Sequence, residues 1–204
     1  MFAQEGETAW PVNLGFKFGI PITDMFSARN TSFLGDLSQP GSLYTSSTPR
    51  YILGVSAEFQ LPLHLRFEVD GLYKRGGFDN TVFGTADYMR TSFNQWEIPG
   101  LFKYNLSRGH FRPFIDFGAS YRHISTLDQA TYTFGGSPVY ADNSSALKNR
   151  NSFGGVAGIG MTFKKGPLEL SPELRYTRWA NEAFMADGLR TNKDQGDFLL
   201  GINF

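Results

Sequence analysis

From Val12 onward the chain repeatedly sets apolar residues at every second position. The first run is Val12, Leu14, Phe16, Phe18, Ile20, and the second is Tyr51, Leu53, Val55, Ala57, Phe59, Leu61. Further runs begin at Leu65, Trp96, Phe111, Phe153 and Leu168, and the last is Phe198, Leu200, Ile202, Phe204. Strict alternation predicts strands with one apolar face, and no stripe of helical spacing competes with it. A chain end that alternates to its final residue is expected to lie in a sheet rather than to fray.

The connections alternate as well. Tight turns are expected at Pro62 to His64, Ser107 to His110 and Lys164 to Pro167, each suited to a hairpin. Between them lie long polar stretches at about 23–49, 76–92, 124–151 and 180–196. Long loops without structure are unusual inside compact soluble domains. Short turns on one side and long loops on the other characterise an outer-membrane barrel. The fold expected is all-β, an eight-stranded antiparallel up-and-down transmembrane β-barrel forming one domain over 1–204. The stretch from Ala130 to Tyr140 reads as a small hairpin in the third loop, and counting it as a spanning pair gives a ten-stranded alternative.

Alternation alone does not say which face meets the solvent. A soluble lipocalin-like carrier would bury the apolar face, and a membrane barrel would turn it outward. The other face carries Lys17, Glu58, Arg66, Glu68, Asp70, Lys74, Glu97, Lys103, Asp116, Arg122, Glu169, Glu173, Arg175 and Asp197, interleaved with glycines such as Gly15, Gly118, Gly158 and Gly160. Glycine weakens a solvent-facing strand, whereas the lumen of an eight-stranded barrel is just wide enough for small residues beside paired charges. The charged face is therefore expected inside. Tyr51, Tyr73, Trp96, Tyr121 and Tyr176 then form an aromatic girdle near the loop-side ends, with Tyr104, Phe111, Phe163 and Phe204 at the turn side. Pro99 and Pro172 fall within strands, where each removes a ladder donor, so a bulge or a distorted ladder is expected at both.

Composition narrows the function classes. Lys+Arg and Asp+Glu number 19 each, so no net charge draws the chain to nucleic acid. There is no Cys, which excludes disulfides and thiol chemistry. No run of apolar residues is long enough for a transmembrane helix. Mean hydropathy is -0.28, which does not argue against a barrel, because only half of each strand is apolar. Met1-Phe2-Ala3-Gln4 reads as either a native start or the remnant of a leader-cleavage site.

The stretches WEIPGLFKY (Trp96 to Tyr104), SPELRYTRW (Ser171 to Trp179), NLGFKFGIPITDMF (from Asn13) and the C-terminal LLGINF resemble the outer-membrane β-barrel domain family that includes PorT-like proteins. More distantly they are similar to small OmpA/OmpX-type barrels. The resemblance covers essentially the whole chain. It implies a Gram-negative outer membrane, contact with membrane lipid and lipopolysaccharide, and no shared catalytic activity. It also implies that Phe198, Leu200, Ile202 and Phe204 serve as the signal read by the barrel-assembly machinery.

The interior charges read as an ionic network that fills the lumen and fixes strand register, because charges out of water persist only when paired. A narrow ion channel is the alternative. His123 and Ser125 sit at the spacing of the His-x-Ser pair of lipid A deacylases, with Asp128 as an orienting acid, which gives a lipid-hydrolase alternative. GGVAGIG (Gly154 to Gly160) lacks the helix a dinucleotide fingerprint needs and reads as small-residue packing. His64, His110 and His123 show no metal-ligand spacing, so neither metal nor cofactor is expected. Asn30-Thr31-Ser32 and Asn143-Ser144-Ser145 match glycosylation acceptors by chance. Phe26, Phe33, Tyr44, Tyr132, Phe134 and Tyr140 stud the first and third loops and suit adaptable contact with a surface ligand or partner. The reading at this point is a monomeric, non-enzymatic scaffold.

Overall fold

The computed structural model describes residues 12–28, 42–82, 87–107, 109–133, 135–186 and 188–204. Its barrel strands are β1 (Val12–Pro21), β2 (Ile52–Gln60), β3 (Leu65–Val82), β4 (Tyr88–Asn105), β5 (Phe111–Tyr132), β6 (Asn151–Lys165), β7 (Leu168–Trp179) and β8 (Asp194–Asn203). Each pairs antiparallel with its neighbours in sequence. β1 closes the barrel on β8, with Phe16 opposite Ile202 and Phe18 opposite Leu200. The last residue is tied in as well, since the Phe204 amide donates to the Leu14 carbonyl at 2.9 Å. A closed eight-stranded antiparallel barrel leaves no spanning edge.

Two further strands join the sheet only beyond the loop-side ends: Ser42–Ser46 against β3 and Val139–Ala141 against β5. They do not span, so the ten-stranded alternative is set aside. Val139–Ala141 is the returning arm of the expected small hairpin; Phe134, like Phe33, Asn30 to Ser32 and Met1 to Gln4, lies outside the described residues.

The large apolar side chains face outward. Leu14, Phe16, Val55, Phe117, Phe153 and Ile159 are each more than half exposed. This excludes the soluble carrier, which needs that face buried. Tyr73 and Trp96 meet edge-on with ring centroids 5.3 Å apart, and Tyr51 and Tyr121 extend the row through Tyr73 and Phe153.

The expected loops at 76–92 and 124–151 need correction. β3 continues to Val82, β4 starts at Tyr88 and β5 runs to Tyr132, so much of both stretches is strand. Their outward residues, including Arg75, Asp79, Arg90, Ser92, Thr126 and Asp128, are polar, so no apolar outer face marks them in the sequence. The sheet there is held from inside instead. Phe78 and Phe93 point inward and pack with Phe26 and Phe184, at centroid distances from 4.6 to 6.0 Å. Ile124, Leu127, Ala183 and Leu189 complete a small apolar core. A separate three-stranded sheet of Phe26–Ala28, Leu189–Thr191 and Met185–Ala186 carries part of it. The barrel mouth thus has a hydrophobic cap.

A β-bulge makes this cap reachable from β5. Gln95 pairs with Ile124 and Asn94 with Thr126, leaving Ser125 as the extra residue. Without it, strict alternation would turn Leu127 outward; with it, Leu127 stays in the cap. At the prolines the structure has the distorted ladder and not the bulge. Beside Pro99 the β3–β4 ladder is interrupted between Val69–Gly100 and Leu72–Glu97, and beside Pro172 the β6–β7 ladder is interrupted between Phe163–Leu170 and Gly160–Glu173. The register is the same on both sides of each gap. Each proline thus loosens one ladder, and its other ladder runs through Ser120 or Leu200 without a break.

Candidate functional site

Inside the membrane-spanning part, the inward positions of eight strands meet across a narrow lumen, so long charged side chains reach one another. Lys17 donates to Glu68, to Asp70 at 3.0 Å and to Glu173 at 3.2 Å. Arg175 forks over the same acids, with Nε on Glu173, Nη1 on Asp70 at 2.8 Å and Nη2 on Glu68 at 3.3 Å. Lys103 bridges Glu68 and Glu58. Arg66 links Glu58 to Glu169, which also receives Arg112 at 2.7 Å and Lys164 at 3.1 Å toward the turn-side mouth. A second group lies toward the loops, where Lys74 sits between Glu97 at 2.8 Å and Asp197 at 2.7 Å.

Two of the sequence-singled residues stand apart. Asp116 is buried, and neither of its carboxylate oxygens has a partner among the described residues. Arg122 lies 4.2 Å over the ring of Trp179 and donates to the Asn181 carbonyl rather than to an acid. Lys74 is partly exposed, and the other inward charges singled out in the sequence are buried. Among side chains this long, a cation bonded to several acids gains attraction from all of them, which offsets the cost of dehydrating it.

Several further lumen residues, all but one of them uncharged, escaped the sequence reading. Ile52, Leu72 and Leu199 form an apolar cluster inside the barrel, Phe114 lies 4.5 Å under the Lys103 ammonium, and Trp179 donates to Gln195 at 3.0 Å. Arg112, Gln95 and Asn203 also point inward. All sit on the inward parity of their strands, which was the available signal. The glycines supply the room. A Cβ on Gly158 would lie 2.5 Å from Asp116, and one on Gly160 would lie 2.4 Å from the Phe114 ring.

His123 and Ser125 are not brought together. The His123 Nδ1 contacts Asn151 Oδ1 at 2.7 Å, while Ser125, the bulge residue, donates weakly to the Asn94 carbonyl at 3.4 Å. Hydrogen bonding to Asn151 gives the imidazole a neutral partner instead of an orienting acid. Of the loop aromatics, Phe26 is buried in the cap and Tyr44 packs against it, so neither is free for ligand contact; Tyr132 and Tyr140 are exposed. On the outer strand surface Arg90 is held by Asp79 at 3.1 Å and by the Tyr88 hydroxyl at 2.8 Å, and its pKa is raised by the Asp79 hydrogen bond first.

Comparison with known proteins follows the same lines. A family model described as "Outer membrane protein beta-barrel domain" matches residues 2–178. Neisserial surface protein A is similar at 15 % identity and a TM-score of 0.50, with 94 % of each chain covered. The N-terminal β-barrel domain of Pseudomonas aeruginosa OprF is similar at 10 % identity and a TM-score of 0.41, over 95 % of this chain and 97 % of that one. Ail, the attachment invasion locus protein of Yersinia pestis, solved with the heparin analogue sucrose octasulfate, is similar at 10 % identity and a TM-score of 0.42, over 94 % of this chain and 97 % of that one. A search of the curated proteins returns no match. At such identities the solved structures speak for the fold alone, and the family match carries the rest: this chain, an eight-stranded barrel of the bacterial outer membrane, belongs to the outer membrane protein β-barrel domain family.

Proposed function

We propose that this protein is a closed, non-enzymatic scaffold of the outer membrane, which presents its loop-side strands and loops to a surface ligand or partner. The observation that carries the reading is that the tube is obstructed at two levels by different chemistry. Lys17, Glu68, Arg175 and their partners fill the middle, and Phe26, Phe78, Phe93 and Phe184 cover the loop-side mouth. Eight strands leave little bore even before such filling. The functional surface is then the outside of the molecule, where β3, β4 and β5 extend well past the girdle.

The test is conductance. Refolded protein in planar bilayers is expected to give no discrete current steps. Reproducible unitary openings would replace the scaffold reading with the channel reading. The closing strand is proposed as the assembly signal, with Phe198, Leu200 and Ile202 on its outward face and Phe204 at its end. Deleting Phe204 is expected to slow insertion by the barrel-assembly machinery while leaving refolding in detergent intact; unchanged insertion would remove that role.

A further inference from the structure

The turn-side mouth of the barrel holds a pocket of about 300 Å³ between the β2–β3 and β4–β5 turns. Gln60, Arg66, Asn105 and Arg112, from four consecutive strands, make its inner wall, and His64 and Ser107 stand at its rim. The ionic network closes it from behind, since Arg66 is bonded to Glu58 and Glu58 to Lys103. The pocket is therefore a blind cup on the periplasmic side, where the short turns of outer-membrane barrels lie.

Charge in the cup is one-sided. Among the described residues no acid lines it. Arg66, Arg112 and Lys164 all gather on Glu169, and Glu58, the other acid that Arg66 touches, is shared with Lys103. Arg66 hydrogen-bonds these acids through Nη1 and Arg112 through Nη2, so the other terminal nitrogen of each guanidinium has no partner among the described residues. Asn105 Oδ1 and Arg112 Nε are buried without a partner as well. The wall thus holds unused donors and an unused acceptor, which a bound molecule carrying both kinds of group would satisfy.

The rim is set in place by strain. Leu63 and His64 both have positive φ, 60° and 65°, a conformation that residues with bulky side chains rarely adopt. Asn105 holds the turn there, donating to the His64 carbonyl from its amide at 3.1 Å and from its side chain at 3.4 Å. Such backbone persists only where its surroundings fix it, and it gathers at ligand clamps.

We propose that this pocket binds a small soluble phosphate monoester of the periplasm, with the phosphate on Arg66 and Arg112 and a hydroxyl-bearing body on Gln60, Asn105 and Ser107. Guanidinium donors arriving from two separate strands suit a tetrahedral group with several oxygens. A monoester's charge of about −1.5 to −2 also answers the surplus of cations better than the single charge of a carboxylate. The inference goes beyond the scaffold reading, which places function at the opposite end of the barrel.

The experiment titrates the refolded full chain, in a non-ionic detergent, with glycerol phosphate, glycerol and inorganic phosphate, and reads the heat of binding. Glycerol phosphate is expected to bind saturably, glycerol not at all, and inorganic phosphate more weakly because it lacks the body. Gln60 stands opposite Arg66 in the β2–β3 ladder, so Q60E sets a carboxylate of the protein's own against the guanidinium. Its affinity for glycerol phosphate should fall about tenfold, and that of R112Q by a similar factor. R178Q, at the loop side, is expected to match wild type, and heat-shifted gel mobility checks that each variant is folded. Nanodiscs separate a soluble ligand from a lipid headgroup: affinity should be equal in phosphatidylcholine and phosphatidylglycerol, and weaker binding in phosphatidylglycerol would assign the pocket to the headgroup and overturn the proposal. So would absence of binding, inorganic phosphate binding as tightly as glycerol phosphate, full affinity in Q60E, or an equal loss in R178Q. The comparison of the three solutes on wild type stands even where a variant fails to fold. Conductance is a separate readout, so a failure here leaves the closed-scaffold reading in place.

Discussion

The same strands build two opposite kinds of interior. Along β4 from the girdle downward, the outward residues include Trp96, Ile98, Phe102 and Tyr104, and the inward ones include Glu97 and Lys103. Above it, the outward residues are Arg90, Ser92 and Asn94, and the inward one at the centre of the cap is Phe93. β3 changes in the same place, from Phe67 and Val69 outside to Arg75 and Asp79 outside, and from Glu68 and Asp70 inside to Phe78 inside. Solvent decides the difference. Hydrocarbon around the wall takes the apolar face and leaves ions to pair in the lumen, whereas water around the extension takes the polar face and leaves phenylalanines to bury one another. A single period of two serves both, because only the assignment of the faces changes.

The sharpest way to break this comparison is to remove the shared acid of the lower zone. Glu68 is bonded to Lys17, Lys103 and Arg175. Glu68→Ala leaves three buried cations short of a partner, and breaking a buried pair in this way costs about 3–5 kcal/mol. The expected result is loss of most of the heat-resistant folded band and a lower urea midpoint; a midpoint equal to wild type would contradict the network's role.

In the upper zone the corresponding change is Phe93→Ala. Truncating a buried phenylalanine costs about 3–5 kcal/mol, but here the loss is confined to the cap. Hydrogen exchange is expected to quicken in Phe26–Ala28 and Leu189–Thr191 while the amides of β7 and β8 stay protected. Uniform loss of protection would mean that cap and wall unfold as one unit.

A smaller contrast uses one strand and one face. Ile115 and Asp128 both point outward on β5, on either side of the girdle. Ile115→Arg is expected to cost about 2–4 kcal/mol, since the charge meets hydrocarbon. Asp128→Arg is expected to stay within about 0.5 kcal/mol, as an exposed surface substitution does. Similar costs at both sites would deny the change of solvent along the strand. The smallest effect is expected at the exposed pair of Asp79 and Arg90, where Asp79→Asn should leave the unfolding midpoint unchanged.

The lower zone was legible in the sequence because it has two signals in phase. Phe16 against Lys17 and Phe102 against Lys103 mark both the strand and its faces, and glycines such as Gly158 mark where the lumen needs room. The upper zone has one signal, and it is easily mistaken. Phe78 and Phe93 are isolated apolar residues in polar stretches, and their partners Phe26 and Phe184 come from distant loops, so only tertiary packing shows why they are there. Ser125 adds a second obstacle, because one bulge residue shifts the parity of everything after it. The prolines, by contrast, were legible as distorted ladders: each missing donor opens one local gap, and the register is held by the neighbouring ladders.

The chain contains no Cys, so single cysteines can be placed without background. Ser92 and Phe102 lie on the same face of β4, one above the girdle and one below it. With spin labels at these two positions in bilayers, collisions with dissolved oxygen should dominate at Phe102→Cys and collisions with a water-soluble nickel chelate should dominate at Ser92→Cys. Equal accessibility to both reagents at the two sites, or a label at position 102 shielded from oxygen, would contradict the change of solvent on which the two interiors depend.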